Sequence, residues 1–232
     1  IADFMLTKGQ QAMGRPVEIE FAGMVDENGK MKGQMYWLQI RPIIDRKEML
    51  DETIMDLPDS QLLLKSHMAL GHGMMDNITS VVYVKPDGFS PLNNLLIAEE
   101  IERINEKMVA ENRHYILIGP GRWGSSEITL GVPVKWANIS AARLIVETSL
   151  PGYRIQPSQG THFFQNLTSF GVGYFTIDKL SSTDDSIFDE QYLDNLPAAY
   201  ESEFVRIVDF TSPLVVAING RSGKGIVMKP QA

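Results

Sequence analysis

The chain has 232 residues, of which 44% are hydrophobic and 22% charged, and its formal net charge is −8. This composition predicts a globular protein of one large or two smaller domains, and the acidic balance disfavours a general surface for nucleic acid or for an anionic membrane. Cysteine is absent, which excludes disulfides, thiolate metal sites and cysteine nucleophiles and fits a reducing compartment, so we expect a cytoplasmic protein.

The beginning of the chain predicts a helix followed by a β-hairpin. Apolar residues at near-helical spacing run through the first 14 residues. Because Ile1 already falls within this helix, we expect the chain to be a piece of a longer polypeptide. Alternating apolar and polar residues from Val17 onward predict a strand, Asn28 and Gly29 predict its turn, and residues 34–43 predict the returning strand.

One face of this hairpin is polar, and its register is open. A two-residue turn would place Glu18 opposite Gln39, whereas a loop longer by two residues would place Glu20 there. In either register a carboxylate, an amide and Arg41 share one face. This face is either the solvated side of a half-exposed hairpin or a Mg²⁺ site in which the arginine holds phosphate, and the spacing does not choose between them.

Residues 46–80 predict a helical connector. Residues 45–56 read as one helix, and residues 59–73 read as a second helix that ends near a glycine. His67 and His72 are five positions apart, which does not suit two ligands on one helix face. We therefore interpret them as surface or capping histidines.

The rest of the chain predicts alternating strands and helices. In order, the pattern predicts a strand over 79–84, an amphipathic helix over 91–114, a strand over 114–119, an extended segment over 128–136, a helix or strand over 140–150, a strand over 172–177, a solvated loop with a short helix over 181–195, and a hairpin turn over 219–225.

Three glycines, Gly119, Gly121 and Gly124, follow the predicted strand in the order G-x-G-x-x-G. A dinucleotide-binding loop of this pattern opens a helix. Residues 125–136 contain β-branched residues, a glycine and a proline, so no helix is predicted there. A glycine-rich turn is the favoured interpretation, and a dinucleotide-dependent oxidoreductase is the less favoured alternative.

Residues 158–177 predict a loop, a short helix, a glycine and a strand, with His162 in the first turn of the helix. A histidine there faces unsatisfied backbone amides and the positive end of the helix dipole, which would stabilise a phosphate on its ring. The competing interpretation is that His162 caps or packs the start of the helix, and the local sequence favours it.

Two groups of motifs resemble one enzyme family. "MGRPVEIEFA" and "YWLQIRPI" resemble the closing hairpin of the ATP-grasp domain in phosphoenolpyruvate synthases and pyruvate phosphate dikinases. This resemblance implies that Glu20 and Gln39 ligate Mg²⁺ and that Arg41 holds a nucleotide phosphate. "QGTHFFQNLTSFGVGYF" resembles the swivelling domain of the same family, which implies that His162 is the phosphate carrier.

The resemblance implies an α/β chain in three parts: the end of an ATP-grasp domain at 1–45, a helical connector at 46–80 and a swivelling β/β/α-like domain at 81–232. It implies a phosphotransferase that moves phosphate from ATP to pyruvate or a similar acceptor, with ATP and Mg²⁺ as cofactors and with the rest of a longer chain as a partner.

Arg122, in the glycine loop, would contact the transferred phosphate. No nucleic-acid or membrane partner is expected, and we expect the chain by itself to be inactive. The alternative function is a non-catalytic regulatory or interaction domain of such an enzyme.

Overall fold

The chain forms two compact units, Ile1–Arg46 and Lys47–Ala232. The computed structural model describes residues 2–13, 17–25, 31–42, 52–86, 89–125, 127, 129–150, 167, 170–178, 180 and 185–230. Within these ranges the protein is mixed α/β, with a large mixed sheet and few helices. No helix in the described ranges is both long enough and apolar enough to cross a membrane.

The first unit is a helix and a β-hairpin, as predicted. Helix α1 (Ala2–Met13) is followed by the antiparallel strands β1 (Val17–Val25) and β2 (Met31–Pro42). Gly9 of the helix lies so close to the hairpin that a Cβ there would be 2.7 Å from Val17 Cγ2 and 2.5 Å from Ile40 Cδ1. This close approach of helix and hairpin requires a residue without a side chain.

The second unit is built mainly of strands. Its elements are β3 (Leu62–Ser66), β4 (Met68–Leu70), β5 (Gly73–Val84), α2 (Asn94–Ala110), β6 (Tyr115–Pro120), β7 (Arg122–Trp123), β8 (Gly131–Val132), β9 (Ala142–Thr148), β10 (Gly173–Ile177), β11 (Ile187–Phe188), α3 (Glu190–Asp194), β12 (Tyr200–Glu201), β13 (Val205–Asn219) and β14 (Lys224–Met228). Short 3-10 turns cover Glu52–Asp56, Asp59–Gln61, Pro91–Asn93 and Trp136–Ile139.

The large sheet curls and is closed by a bent strand. Its order is β11-β3-β14-β13-β5-β6-β9-β10-β4, with β12 on β13, and β5, β6, β9 and β10 are parallel neighbours. Strands β3 and β4 are separated only by His67, yet they pair near opposite ends of this order. Across the closure, Ser66 Oγ donates a hydrogen bond of 2.6 Å to the carbonyl of Thr176.

The curled sheet is buried on both faces, as strand β6 illustrates. Ile116 and Ile118 belong to an apolar cluster that draws residues from all eight long strands of the closed sheet and so lies on its concave side. Tyr115 and Leu117 belong to a second cluster with the buried apolar side chains of α2, which are Ile97, Ile101, Ile104 and Met108. Successive strand residues point to opposite faces, so a strand covered on both sides shows a continuous apolar run.

The expected helices within residues 46–80 are wrong wherever the structure describes this segment. Glu52–Asp56 is a 3-10 turn, and β3, β4 and the first part of β5 occupy residues 62–80. Leu62, Leu63 and Leu64 are all buried because both faces of β3 are covered. A short apolar run has no alternation in this situation and cannot be told from a helix by its pattern. Residues 43–51 lie outside the described ranges.

Most of the other predicted elements are confirmed. The structure contains the helix expected over 91–114, the strands expected over 79–84, 114–119 and 172–177, and the hairpin turn between β13 and β14. The segment 140–150, which read as helix or strand, contains strand β9. Neither His67 nor His72 lies on a helix: His67 lies at the bend between β3 and β4, and His72 Nδ1 accepts the N–H of Gly220 at 3.3 Å.

We predict that Gly225→Ala destabilises the second unit, because Gly225 of β14 lies at the closure of the sheet. A Cβ there would overlap the ring of Phe175 and lie 2.8 Å from Ala69 Cβ. Overpacking of this kind costs about 1–3 kcal/mol. Urea unfolding would measure the loss, with the exposed neighbour Lys224→Ala as a control that stays within about 0.5 kcal/mol of wild type. A Gly225→Ala protein as stable as wild type would contradict the close packing.

We predict that His114 makes the protein less stable as the pH falls. Arg143 Nη2 lies 3.3 Å from His114 Nε2, and a guanidinium only donates, so this nitrogen accepts and the ring is neutral. Burial, and then the charge of Arg143, lower the pKa of His114. The unfolded chain therefore binds a proton at a pH where the folded chain does not, and stability is lost as the pH falls below about 6.5.

The test is the free energy of unfolding at about pH 7 and about pH 5.5. The loss between these two values should be smaller in His114→Gln than in wild type, because the substituted side chain does not titrate. The exposed His72→Gln is the control and should retain the wild-type loss. An unchanged pH dependence in His114→Gln would refute the prediction.

Candidate functional site

The polar face of the first-unit hairpin combines the side chains that the sequence singles out. Glu20 lies opposite Gln39, and Glu18 lies opposite Arg41, which is the second of the two expected pairings. The expected turn at Asn28 and Gly29 lies outside the described residues. The register shifts between Glu20 and Phe21 and again between Gly23 and Val25, so this pairing does not continue to the turn. Opposed residues have Cβ atoms about 4.5–5.5 Å apart, and alternate residues share a face, so the register places all four polar residues on one face.

This face carries the types of side chain that could hold a magnesium ion. Glu18 and Gln39 are exposed, and Glu20 is partly exposed. Carboxylate and amide oxygens are hard ligands of the kind that Mg²⁺ takes, and the ion usually keeps waters and phosphate oxygens as its other ligands. No group of three or more His, Asp or Glu residues with metal-binding geometry occurs among the described residues, so such an ion would depend on the amide and on these outside ligands.

In the second unit, the glycine loop follows the carboxyl end of β6. Gly121 and Gly124 have φ values of 79° and 75°, which favour glycine. At Gly119 a Cβ would lie 2.5 Å from Cζ2 of Trp123, so the indole ring occupies this space. The described residues among 125–135 form turns and β8 and start no helix, which confirms the prediction of a turn and removes the feature that a dinucleotide loop requires.

A buried carboxylate lies beside this loop. Glu147 of β9 has no exposed surface and pairs in the sheet with Gly119. Its Oε1 accepts the backbone N–H of Trp123 at 3.1 Å, and its Oε2 accepts the hydroxyl of Tyr174 at 2.6 Å. Thr176 Oγ1 donates in turn to the Tyr174 hydroxyl at 2.9 Å. These donors offset the cost of removing the carboxylate from water.

The glycine loop and Glu147 lie where the parallel strands end. Gly119, Glu147 and Thr176 are aligned across β6, β9 and β10. One residue beyond β9, Ser149 Oγ donates to Asp178 Oδ1 at 2.6 Å. In α/β proteins with parallel strands, both open sheets and closed barrels bind ligands at the carboxyl ends of the strands. We therefore call Arg122, Trp123, Glu147, Tyr174 and Thr176 the strand-end cluster and treat it as a second candidate site.

The predicted site residues fall into three groups. Glu20, Gln39 and Arg41 are brought together by the hairpin of the first unit. Arg122 lies partly buried in β7 of the second unit. His162 lies outside the described residues, as does most of the short helix expected around it, so its nearness to Arg122 stays a prediction.

The sequence analysis missed Glu147, Tyr174 and Thr176. A signal for Glu147 was present, because it is the one charged residue in the apolar run 144–147, "LIVE", all of which is buried. A charge in such a run is costly unless it is paired, so it marks a position with a specific partner. The partners themselves come from a different strand and from a loop, which no local pattern reveals.

Comparison with known proteins finds no relative of this chain. No protein-family model, no curated protein and no solved structure matches it. The resemblance to phosphoenolpyruvate synthases and pyruvate phosphate dikinases rests on the quoted motifs and stays a prediction.

We predict that Tyr174→Phe destabilises the second unit, because it takes away the hydroxyl that donates to Glu147 Oε2. A hydrogen bond to a charged acceptor contributes about 1.5–3 kcal/mol. Urea unfolding would measure the loss. The control is Tyr192→Phe, because the Tyr192 hydroxyl makes none of the hydrogen bonds found among the described residues and the ring is kept. Equal losses in the two variants would contradict the role of the Tyr174 hydroxyl.

Proposed function

We propose that this chain is part of an ATP-dependent phosphotransferase that resembles phosphoenolpyruvate synthase. It moves a phosphate from ATP through His162 to pyruvate or a similar acceptor. The observation that carries the proposal is the register of the first hairpin, which sets Glu20 opposite Gln39 and Glu18 opposite Arg41. The resemblance assigns roles at a Mg-nucleotide to three of these residues, and the register puts all three on one face.

The proposed work of this face is to position and neutralise phosphate groups. Oxygen atoms of Glu20 and Gln39 would hold Mg²⁺, and Arg41 would bind a phosphate with its planar guanidinium. A bound Mg²⁺ supplies positive charge that stabilises the charge on phosphate oxygens. Phosphoryl transfer needs little covalent help from the protein, so positioning and charge are what these residues contribute.

The proposed carrier is His162. A ring nitrogen forms a bond to phosphorus while the bond from phosphorus to the nucleotide oxygen breaks. In the second transfer an oxygen of the acceptor bonds to phosphorus and the bond to the ring nitrogen breaks. Arg122 would contact the phosphate while the histidine carries it, and a fork of N–H donors suits the phosphate oxygens.

We predict that the full-length natural protein forms an acid-labile phosphohistidine at His162. The protein is incubated with Mg²⁺ and with ATP labelled at the β or the γ phosphate in separate runs. Label stable at alkaline pH should appear in wild type and in the exposed-histidine control His72→Ala, and should be lost in His162→Ala. Glu20→Gln should raise the Mg²⁺ concentration for half-maximal labelling by at least about tenfold, whereas Glu99→Gln on the exposed face of α2 should not.

The outcomes separate the proposed function from its alternative. Label that persists in His162→Ala would place the carrier at another residue. Wild-type protein without label would favour a non-catalytic regulatory or interaction domain. A Glu20→Gln protein with an unchanged Mg²⁺ requirement would remove Glu20 from the metal site.

A further inference from the structure

Trp123, the residue that follows Arg122, is fixed at three points. Its backbone N–H donates to Glu147 Oε1 at 3.1 Å, and its indole Nε1 donates to the carbonyl of Val146 at 3.2 Å. Its buried ring fills the space above Gly119. The position of the peptide that joins Arg122 to Trp123 is therefore held by the end of β9.

The backbone on both sides of Arg122 is also bonded. The N–H of Gly121 donates to the carbonyl of Thr148 at 3.2 Å, and the N–H of Arg122 donates to the carbonyl of Leu130 at 2.9 Å. The N–H of Gly124 donates to the carbonyl of Val132 at 2.9 Å. These hydrogen bonds therefore fix the backbone conformation at Arg122 in the protein without a ligand.

Glu147 is suited to positioning rather than to proton transfer. Each of its two oxygens accepts a hydrogen bond, and the residue has no exposed surface for a ligand to reach. Burying a carboxylate is costly in free energy, so we expect Glu147 to make an interaction that an apolar residue could not make. That interaction is the charge-assisted hydrogen bond from the Trp123 N–H, which ties Glu147 to the loop that carries Arg122.

We propose that Glu147 is a positioning residue, which fixes Arg122 so that its guanidinium binds a phosphate group at the carboxyl ends of β6 and β9. The inference rests on the proposed function for the role of Arg122. A bidentate pair of arginine and phosphate demands a defined orientation, and a supporting residue that supplies it commonly accounts for about 10- to 100-fold in binding or activity.

The test measures binding of inorganic phosphate by calorimetric titration to the full-length protein. Every variant also carries Arg41→Ala, so that the hairpin of the first unit does not contribute. Arg122→Ala and Glu147→Gln should each weaken binding by about tenfold or more. The matched control is Glu127→Gln, an exposed glutamate of the same loop that accepts the hydroxyl of Thr129, and it should bind as the parent does.

Two further measurements show that the loss passes through Arg122. The double variant Arg122→Ala, Glu147→Gln should bind no more weakly than Arg122→Ala alone, because both changes remove one interaction. Amide hydrogen exchange at Trp123 should be faster in Glu147→Gln than in the parent, and unchanged in Glu127→Gln. If Glu147→Gln does not fold, Glu147→Asp keeps the charge, withdraws it from the Trp123 N–H and should weaken phosphate binding to the same extent.

Phosphate binding by Glu147→Gln or Glu147→Asp that equals that of the parent would overturn the inference. A parent that binds no phosphate would overturn it as well. So would a double variant in which the losses of phosphate affinity from the two single variants add. The proposed function is judged separately by labelling. Wild-type protein without phosphohistidine, together with phosphate binding that falls in Glu147→Gln, would end the transfer proposal and leave the positioning role of Glu147 supported.

Discussion

The bent strand formed by β3 and β4 closes the sheet of the second unit. At one side of the bend it pairs with β14, and at the other side it pairs with β10. Closure gives the sheet a concave side that is filled by one apolar cluster, while α2 and described apolar residues such as Trp123, Val132 and Leu167 cover the convex side. The close packing of Gly225 against Phe175 and the buried leucines of β3 both follow from it.

The strand-end cluster depends on the same arrangement. Strands β6, β9 and β10 run in parallel, and their carboxyl ends meet at Gly119, Glu147 and Thr176. Both faces of the sheet are covered at this place. A carboxylate at such a place is removed from water and must be paired, and the donors come from the neighbouring strand and from the glycine loop. Pairing the buried charge therefore also orders the loop.

The two units contribute different parts of the proposed chemistry. The hairpin of the first unit carries two carboxylates, an amide and an arginine on one polar face, where the proposal places a metal-bound phosphate. The glycine loop of the second unit carries an arginine on a backbone that is bonded to its neighbours on both sides. In the proposed function both would position a transferred phosphate, a ligand for which positioning and charge supply most of the catalysis.

Local patterns by themselves determined the hairpin, helix α2, strand β6 and the turn at the three glycines, because alternation, helical periodicity and turn residues act within a few positions. Only the tertiary structure decided the rest. The pairing of Glu20 with Gln39 depends on register shifts within the hairpin strands, and the leucine run of β3 becomes a strand because two layers cover it. Glu147 finds Trp123 and Tyr174 only across strands, since pairing of a buried charge joins residues that are distant in the chain.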